Sequence, residues 1–160
     1  MTIQAGDKMP SGVFGIMTET GPGAISTDEL FAGKKVVLVS VPGAFTPTCS
    51  ASHLPGFVSQ SDELRAKGVD TIAFMSVNDV FVMHAWGEDQ QVGDKVAMLA
   101  DGNGEYAKAL DLEMDGSAFG MGTRSQRFAI IVDDGTATHV AVEAPGQFDV
   151  SRAESVLATL

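Results

Sequence analysis

Short apolar runs, several of them rich in β-branched residues, recur along the chain between polar, glycine-containing stretches. Runs of this length, apolar at nearly every position, are typical of strands that are covered on both faces of a sheet. They predict strands at Val36–Val41, Asp70–Val77, Val96–Ala100, Phe128–Val132 and, across the turn 133–135, Thr138–Val142.

The stretches between these runs carry helical spacing and signals that start helices. Helices are predicted from Thr27, over Asp79–Glu88 with a cap at Asn78, over Glu105–Leu112 after Gly104, and at the C-terminus, where Ser151 and Glu154 fit a capping box. The alternation of strands and helices predicts one α/β domain, residues 1–160, around a mostly parallel or mixed sheet.

Composition supports a packed core: 44% of the 160 residues are hydrophobic and 19% are charged. No apolar run approaches the ~18–20 residues of a membrane span, so we expect no membrane segment. Residues 1–8 lack the apolar stretch of a secretory signal and the Arg-rich character of an organelle presequence. We therefore expect a cytoplasmic protein.

Charge disfavours another class of partner. There are 21 acidic against 10 basic residues, for a net charge of −11. A surface of that sign repels phosphate backbones, which argues against binding to nucleic acid or to anionic membranes.

Cys49 is the single cysteine, so the chain forms no internal disulfide and no cysteine-rich zinc site. His84 and His139 have no metal-ligand spacing, and the sequence 102–104 is too sparse in glycine for a dinucleotide loop. We expect neither a metal nor a cofactor.

The segment around Cys49 is the most informative in chemical terms. The predicted strand Val36–Val41 runs into a loop, where Thr46 is a good N-cap and Pro47 fits the first helical position. Cys49 then falls in the first helical turn, where unpaired N–H groups and the helix dipole stabilise a thiolate. Active sites of open α/β sheets also lie at this end of the strands.

Two structural alternatives stand beside this interpretation. A lone cysteine is usually a small buried apolar residue, although the polar neighbours of Cys49 and its place after a strand favour a reactive thiol. His53, four residues later, could form a dyad with Cys49 if the helix persists, or could simply pack and form local hydrogen bonds. Pro55 predicts a kink or break near Leu54–Gly56.

The segment Pro42–Ser50, continued by His53–Phe57, closely resembles the peroxidatic signature of peroxiredoxins of the type-5 (atypical, thioredoxin-fold) group. Gly122–Phe128 resembles the second signature of that family, and Asp79–Trp86 resembles its intervening helix. The resemblance spans nearly the whole chain.

The resemblance implies a thioredoxin-like α/β fold with a central mixed sheet flanked by helices. It implies that Cys49 is the peroxidatic cysteine, Thr46 its hydroxyl partner and Arg124 its cationic partner. Pro42 would shield the peroxide pocket, and the backbone N–H of Thr48 would contact peroxide. The family often has glycine at the position of Thr48, which leaves that N–H contact available.

The residue types fit the implied reaction, in which a thiolate attacks an O–O bond and becomes a sulfenic acid. Ionisation of the thiol alone raises the rate of attack only modestly, because a lower thiol pKa also lowers the nucleophilicity of the sulfur. Fixed donors must therefore stabilise the charge that passes from sulfur to oxygen. An arginine suits this task because its planar fork addresses two atoms at once. Arg127, at the start of the next strand, is assigned a supporting or structural part.

Because Cys49 has no partner thiol, its sulfenic acid requires an external one. We expect glutathione with glutaredoxin first and thioredoxin second as the donor. The resemblance further implies a homodimer that packs near the active-site loops.

Three rival functions remain to be compared. A Cys–His hydrolase would use Cys49 with a histidine, but the sequence shows no orienting Asn or Asp constellation. A thioredoxin-type disulfide reductase is disfavoured because no C-x-x-C is present. A redox sensor or binding module would be oxidised at Cys49 without turnover, so peroxide consumption beyond one equivalent per chain separates it from a catalyst.

Overall fold

Nine strands are present in the computed structural model, which describes residues 1–160. They are β1 (Val13–Thr18), β2 (Gly21–Ser26), β3 (Lys35–Ser40), β4 (Thr71–Ser76), β5 (Ala97–Ala100), β6 (Glu113–Asp115), β7 (Thr123–Ser125), β8 (Phe128–Asp133) and β9 (Thr136–Val142).

Seven of the strands form one mixed sheet in the order β2-β1-β5-β4-β3-β8-β9. The central strands β3, β4 and β5 are parallel, whereas β8 runs antiparallel to β3, with Phe128 opposite Ser40. The strands β6 and β7 form a separate hairpin. The C-terminal end of β3 therefore lies beside the beginning of β8, and this edge of the sheet carries the site described below.

Short helices flank the sheet. They are α1 (Thr27–Phe31), a π-helical turn (Cys49–His53), α2 (Leu54–Ser59), α3 (Ser61–Ala66), α4 (Val80–Asp89), α5 (Glu105–Ala109), a 3₁₀ turn (Ser117–Phe119) and α6 (Ala153–Leu157). None of these helices has the length and apolar character that a membrane crossing requires.

The core has two halves, one on each face of the sheet. Along β3, Val37 and Val39 face one half, with Trp86, while Val36 and Leu38 face the other. All five side chains are fully buried, and burial of each such apolar side chain contributes roughly 1.5–3 kcal/mol. The continuous apolar runs thus reflect strands covered on both faces, as predicted.

The five predicted strands are confirmed with small differences at their ends, but two predicted helix caps are wrong. Asp79, not Asn78, caps α4, because its carboxylate accepts from Val82 N. The capping box at Ser151 does not form, since Arg152 is the N-cap of α6 and the Ser151 hydroxyl donates to Glu143. A capping box is present at α1 instead, where Ser26 and Glu29 bond reciprocally.

Candidate active site

The loop that follows β3 is held from both sides before the helix begins. Val41 N donates to the Met75 carbonyl of β4, and Ala44 N donates to Asn78 Oδ1 at 2.9 Å. Phe45 has a φ of 65°, in the left-handed region that a bulky residue rarely adopts. The helix then starts at Pro47, and the Thr46 carbonyl accepts from Ser50 N. The predicted helix start is therefore present.

The turn that carries Cys49 is π-helical. Leu54 N donates to the Cys49 carbonyl, a bond that spans five residues instead of four. Pro55, in the first turn of α2, has no N–H to donate, and the α-helix resumes at Leu54. The interruption predicted near Leu54–Gly56 is therefore not found there: these residues are α-helical, and the irregularity is the widened turn Cys49–His53 that precedes them.

The sulfur of Cys49 is fully buried and lies within hydrogen-bond distance of two side chains. Thr46 Oγ1 lies 2.8 Å from Sγ, and Arg127 Nη2 lies 3.0 Å from Sγ. The same threonine hydroxyl lies 2.7 Å from the Gly43 carbonyl oxygen. A hydroxyl and a guanidinium therefore converge on one thiol.

The single proton of the Thr46 hydroxyl has two acceptors within reach. When Cys49 is a thiol, its S–H points at Oγ1 and the hydroxyl donates to the Gly43 carbonyl. When Cys49 is a thiolate, the hydroxyl turns and donates to the sulfur. Rotation of one O–H bond therefore switches the hydroxyl between these two acceptors.

The arginine that contacts the sulfur is Arg127, whereas Arg124, which the resemblance implies as the cationic partner, makes no contact with it. The reason is the register of the sheet. Since β8 runs antiparallel to β3, the residue just before Phe128 lies at the end of β3, next to the loop that leads to Cys49. Arg124 belongs instead to β7, opposite Met114 in the separate hairpin.

Arg124 binds backbone carbonyls below the active-site loop. Its Nε donates to the Met121 carbonyl at 2.8 Å, and its Nη1 donates to the Val77 carbonyl at 3.2 Å. A Cβ added at Gly43 would lie 3.4 Å from Arg124 Nη1. Arg124 therefore links the Met121 and Val77 segments beside Gly43, without a contact to the sulfur.

His53 is buried and does not contact the sulfur, because both of its ring nitrogens are bonded elsewhere. Nδ1 accepts from Arg127 Nη1 at 2.7 Å, and Nε2 donates to the Ser151 carbonyl at 2.9 Å. Burial and the positive charge of Arg127 lower the pKa of His53 to about 3. The imidazole is thus neutral at physiological pH and is placed to hold Arg127, which leaves no base for a Cys–His hydrolase.

A pocket of about 740 Å³ opens beside this cluster. Thr46 and Arg127 line it, as do Pro42 and Thr48, the two residues predicted for the peroxide pocket. Phe148 forms another part of the wall. The two side chains that contact the buried sulfur therefore form part of the pocket surface.

The sequence assigns Arg127 only a supporting part, and it predicts a cap at Ser151 rather than the contact of its carbonyl with His53. The signal for Arg127 was present: a predicted strand begins at Phe128, and an arginine directly before a strand is fixed by that strand. The signal for Ser151 was absent, because a backbone carbonyl that accepts from His53 across 98 positions leaves no mark on the sequence.

Comparison with known proteins gives a consistent result. The sequence model of the family described as Redoxin matches residues 4–157. The chain is 47% identical over 163 residues to Peroxiredoxin-2E, chloroplastic, of Arabidopsis thaliana, a match that covers 99% of this chain and 70% of that protein.

Two solved structures share the fold. Reduced Prx3 from Vibrio vulnificus, solved in complex with hydrogen peroxide, has a TM-score of 0.95 and 53% identity, and the match covers 99% of each chain. Peroxiredoxin 5 from Alvinella pompejana has a TM-score of 0.86 and 34% identity, over 98% of this chain and 97% of that one. The expected thioredoxin-like fold, a central mixed sheet flanked by helices, is confirmed.

Proposed function

This chain belongs to the Redoxin family and is a type-5 peroxiredoxin, a thiol peroxidase with one cysteine, and we propose that it reduces hydrogen peroxide and alkyl hydroperoxides at Cys49. The observation that carries the proposal is the pair of contacts to Sγ, from Thr46 Oγ1 at 2.8 Å and from Arg127 Nη2 at 3.0 Å. Both donors stabilise a thiolate and lie at the pocket surface.

In the proposed reaction the Cys49 thiolate attacks one oxygen of the peroxide. An S–O bond forms with the sulfur electron pair while the O–O bond breaks, and the electron pair of that bond leaves with the second oxygen. The leaving hydroxide or alkoxide takes up a proton to become water or an alcohol. The sulfur is oxidised to a sulfenic acid and the peroxide is reduced.

Arg127 and Thr46 act on the charge that moves from sulfur to oxygen. Each Nη of the guanidinium carries two hydrogens, and Nη2 uses one of them on Sγ. The other is available to an oxygen of the bound peroxide. Because these donors are already fixed by His53 and by the helix start, they need no reorganisation during the attack, which is the main source of rate in sites of this kind.

The substrate class follows from the pocket. Its volume of about 740 Å³ is within the range of ligand sites, roughly 300–1,000 Å³, and exceeds the needs of hydrogen peroxide alone. Phe119, Met121 and Phe148 give the wall apolar surface that suits an alkyl group. The related Vibrio vulnificus protein binds hydrogen peroxide, which supports the smaller substrate for this chain.

The sulfenic acid is proposed to be restored by an external thiol. The thiol sulfur attacks Sγ, water leaves, and a mixed disulfide forms between the thiol and Cys49. A second thiol then attacks that disulfide and releases the reduced cysteine. Glutathione with glutaredoxin is the first candidate and thioredoxin the second. Mass spectrometry after addition of peroxide and glutathione should show one adduct, on Cys49.

The reaction is tested by rapid mixing of the reduced protein with hydrogen peroxide. Trp86 is the only tryptophan, and its Nε1 donates to Ser50 Oγ, next to Cys49. Its fluorescence should therefore report oxidation of the sulfur. The change should be absent from Cys49→Ser, and consumption of peroxide should exceed one equivalent per chain when thiol is supplied. Failure of every thiol donor to sustain turnover would identify a sensor instead.

Two further parts of the proposal concern the assembly and its location. Phe45 and Phe119 are exposed beside the active site, which supports a homodimer packed near these loops. The molar mass by light scattering should be twice the 16.7 kDa of the chain, and Phe119→Arg should halve it.

We propose that the protein is cytoplasmic. Recovery of the protein in an organelle fraction after cell fractionation would overturn this proposal.

A further inference from the structure

Glu143, directly after β9, is hydrogen-bonded to the far end of the segment 144–151. Its side chain is buried, and the single oxygen Oε2 accepts from Asp149 N at 2.7 Å, from Ser151 N at 2.9 Å and from Ser151 Oγ at 2.7 Å. We call residues 144–151, which lead from β9 to α6, the strap. One carboxylate oxygen thus fixes the far end of the strap.

The end that Glu143 fixes is joined to the sulfur by continuous hydrogen bonds. The Ser151 carbonyl accepts from His53 Nε2, His53 Nδ1 accepts from Arg127 Nη1, and Arg127 Nη2 donates to Cys49 Sγ. Every link in this series is 3.0 Å or shorter. The strap also places the Phe148 ring 4.9 Å from the His53 ring and 5.8 Å from the Arg127 guanidinium carbon.

We propose that Glu143 is a positioning residue for the peroxidase reaction: through the strap it fixes the Ser151 carbonyl, which selects the His53 tautomer that accepts from Arg127. This inference rests on the proposed function for its effect on rate. The contact series itself rests on geometry alone.

The tautomer matters because a neutral imidazole has one donor and one acceptor nitrogen. With the Ser151 carbonyl in place, the proton resides on Nε2, and Nδ1 has a free lone pair for the guanidinium. If the carbonyl moved away, a proton on Nδ1 would face the N–H of Arg127, and the two donors would repel one another. Arg127 would then leave its position on the sulfur.

A charged acceptor suits this task better than a neutral one. Burial raises the pKa of Glu143, but the hydrogen bonds from Ser151, Asp149 and Val150 lower it by more, so the pKa lies below its ordinary value. The carboxylate therefore stays ionised and binds the three donors strongly. The same bonds explain why the Ser151 hydroxyl does not cap α6.

The test compares Glu143→Ala with Ser155→Ala. Ser155 Oγ donates to the Asp149 carbonyl at 2.7 Å, so Ser155→Ala also removes a bond to the strap but leaves the series toward His53 intact. The first readout is the pair of ¹⁵N resonances of the His53 ring, assigned with His53→Gln, which report where the proton resides. The second readout is the rate at which hydrogen peroxide oxidises Cys49.

We expect Glu143→Ala to shift the His53 resonances toward a tautomer mixture and to slow oxidation roughly 10- to 100-fold, the cost of a small misplacement of a reacting group. Ser155→Ala should change neither readout. Glu143→Gln keeps an acceptor oxygen, so it should restore the tautomer and bring the rate within a few-fold of the parent.

Several outcomes would overturn the inference. One is a folded Glu143→Ala protein with the parental tautomer, whether or not its rate has fallen, and another is an effect of Ser155→Ala equal to that of Glu143→Ala. If Glu143→Ala does not fold, Ser151→Ala takes its place, because it removes only one of the three hydrogen bonds to Glu143. A Ser151→Ala protein with unchanged His53 resonances and an unchanged rate would again reject the inference. If the parent protein itself does not react with peroxide at Cys49, the proposed function fails, while the resonances still test the contact series.

Discussion

Arg124 and Arg127 are three positions apart in the sequence and have opposite surroundings. Arg127 donates to an imidazole nitrogen and to the reacting sulfur, and it lines the pocket. Arg124 donates only to backbone carbonyls, those of Met121 and Val77. Arg127 thus contacts groups whose charge or protonation can change, whereas Arg124 contacts groups whose charge is constant.

The contacts of each arginine are thus set by the strand that it adjoins and not by its residue type. Arg127 directly precedes β8, which pairs with β3 at the edge where the Cys49 loop begins. Arg124 lies in β7, which pairs only with β6. Both arginines lie within the segment Gly122–Phe128, so it is their contacts, and not the segment, that distinguish them.

The largest expected effect comes from removal of one arginine at a time. Arg127→Ala should slow the oxidation of Cys49 by peroxide roughly 100- to 1,000-fold, because a fixed donor to the developing charge is lost. Arg127→Lys should recover only part of the rate, since an ammonium does not bridge His53 and the sulfur as a planar fork does.

The matched control is Arg124→Ala, whose rate in the same rapid-mixing measurement should stay within about threefold to tenfold of the parent, because the sulfur contacts remain. The reverse order of the two variants would restore Arg124 as the catalytic cation and reject the assignment made from the geometry.

A smaller effect is expected at the hydroxyl. Thr46→Val keeps the shape of the side chain but removes the donor to the sulfur, so the rate of oxidation should fall roughly 10- to 100-fold. Thr46→Ser keeps the hydroxyl and should cost little. Equal rates for the serine and valine variants would show that the hydroxyl does not contribute to the rate as a donor to the sulfur.

His53 provides a prediction about stability. Burial and Arg127 lower the pKa of the folded-state imidazole to about 3, from 6.5. Between these values the unfolded chain binds a proton that the folded chain does not, so the free energy of unfolding should fall as the pH is lowered, by at most about 1.4 kcal/mol per pH unit. The free energy of unfolding should begin to fall below about pH 6.5.

Urea unfolding at several pH values measures this effect, with His53→Gln as the control. The variant lacks the titrating group, so its free energy of unfolding should depend less on pH over the same interval, while other acidic groups titrate in both proteins. Parallel pH dependences would show that folding does not lower the pKa of His53.

The smallest expected effect is the stability contribution of Arg124. Its two hydrogen bonds to carbonyls should contribute about 1–3 kcal/mol to the free energy of unfolding. Arg124→Ala should lower that free energy by this amount in urea, and Arg124→Lys should recover less than half. A variant as stable as the parent would show that the Met121 and Val77 segments hold their positions without this side chain.

The sequence predicts the sheet core well and the peripheral strands poorly. Strands such as β3 and β8 are apolar at nearly every position because both of their faces are covered. By contrast, β2 is glycine- and proline-containing and mostly exposed, and β6 and β7 have three residues each. Strands held by pairing rather than by burial leave no period in the hydrophobic pattern, which is why they were not predicted.

The candidate site is predictable where contacts are local and unpredictable where they are distant. Thr46, Pro47 and Cys49 lie within one helix start, so capping rules bring the hydroxyl to the sulfur. The choice between two arginines depends on which strand pairs with β3, and the hold on His53 depends on a carbonyl at the other end of the chain. Neither is contained in a short motif.

The π-helical turn over Cys49–His53 makes the orientation of the sulfur depend on a single surplus residue. In an α-helix each residue advances the chain by about 100° around the axis. Deletion of one residue from 50–52 would convert the turn to regular α-helix. The thiol would then lie on a different face of the helix relative to α2. A protein with such a deletion should retain its sheet and its midpoint of thermal unfolding, yet Cys49 should no longer react with peroxide. The number of residues in this turn would then be a determinant of activity.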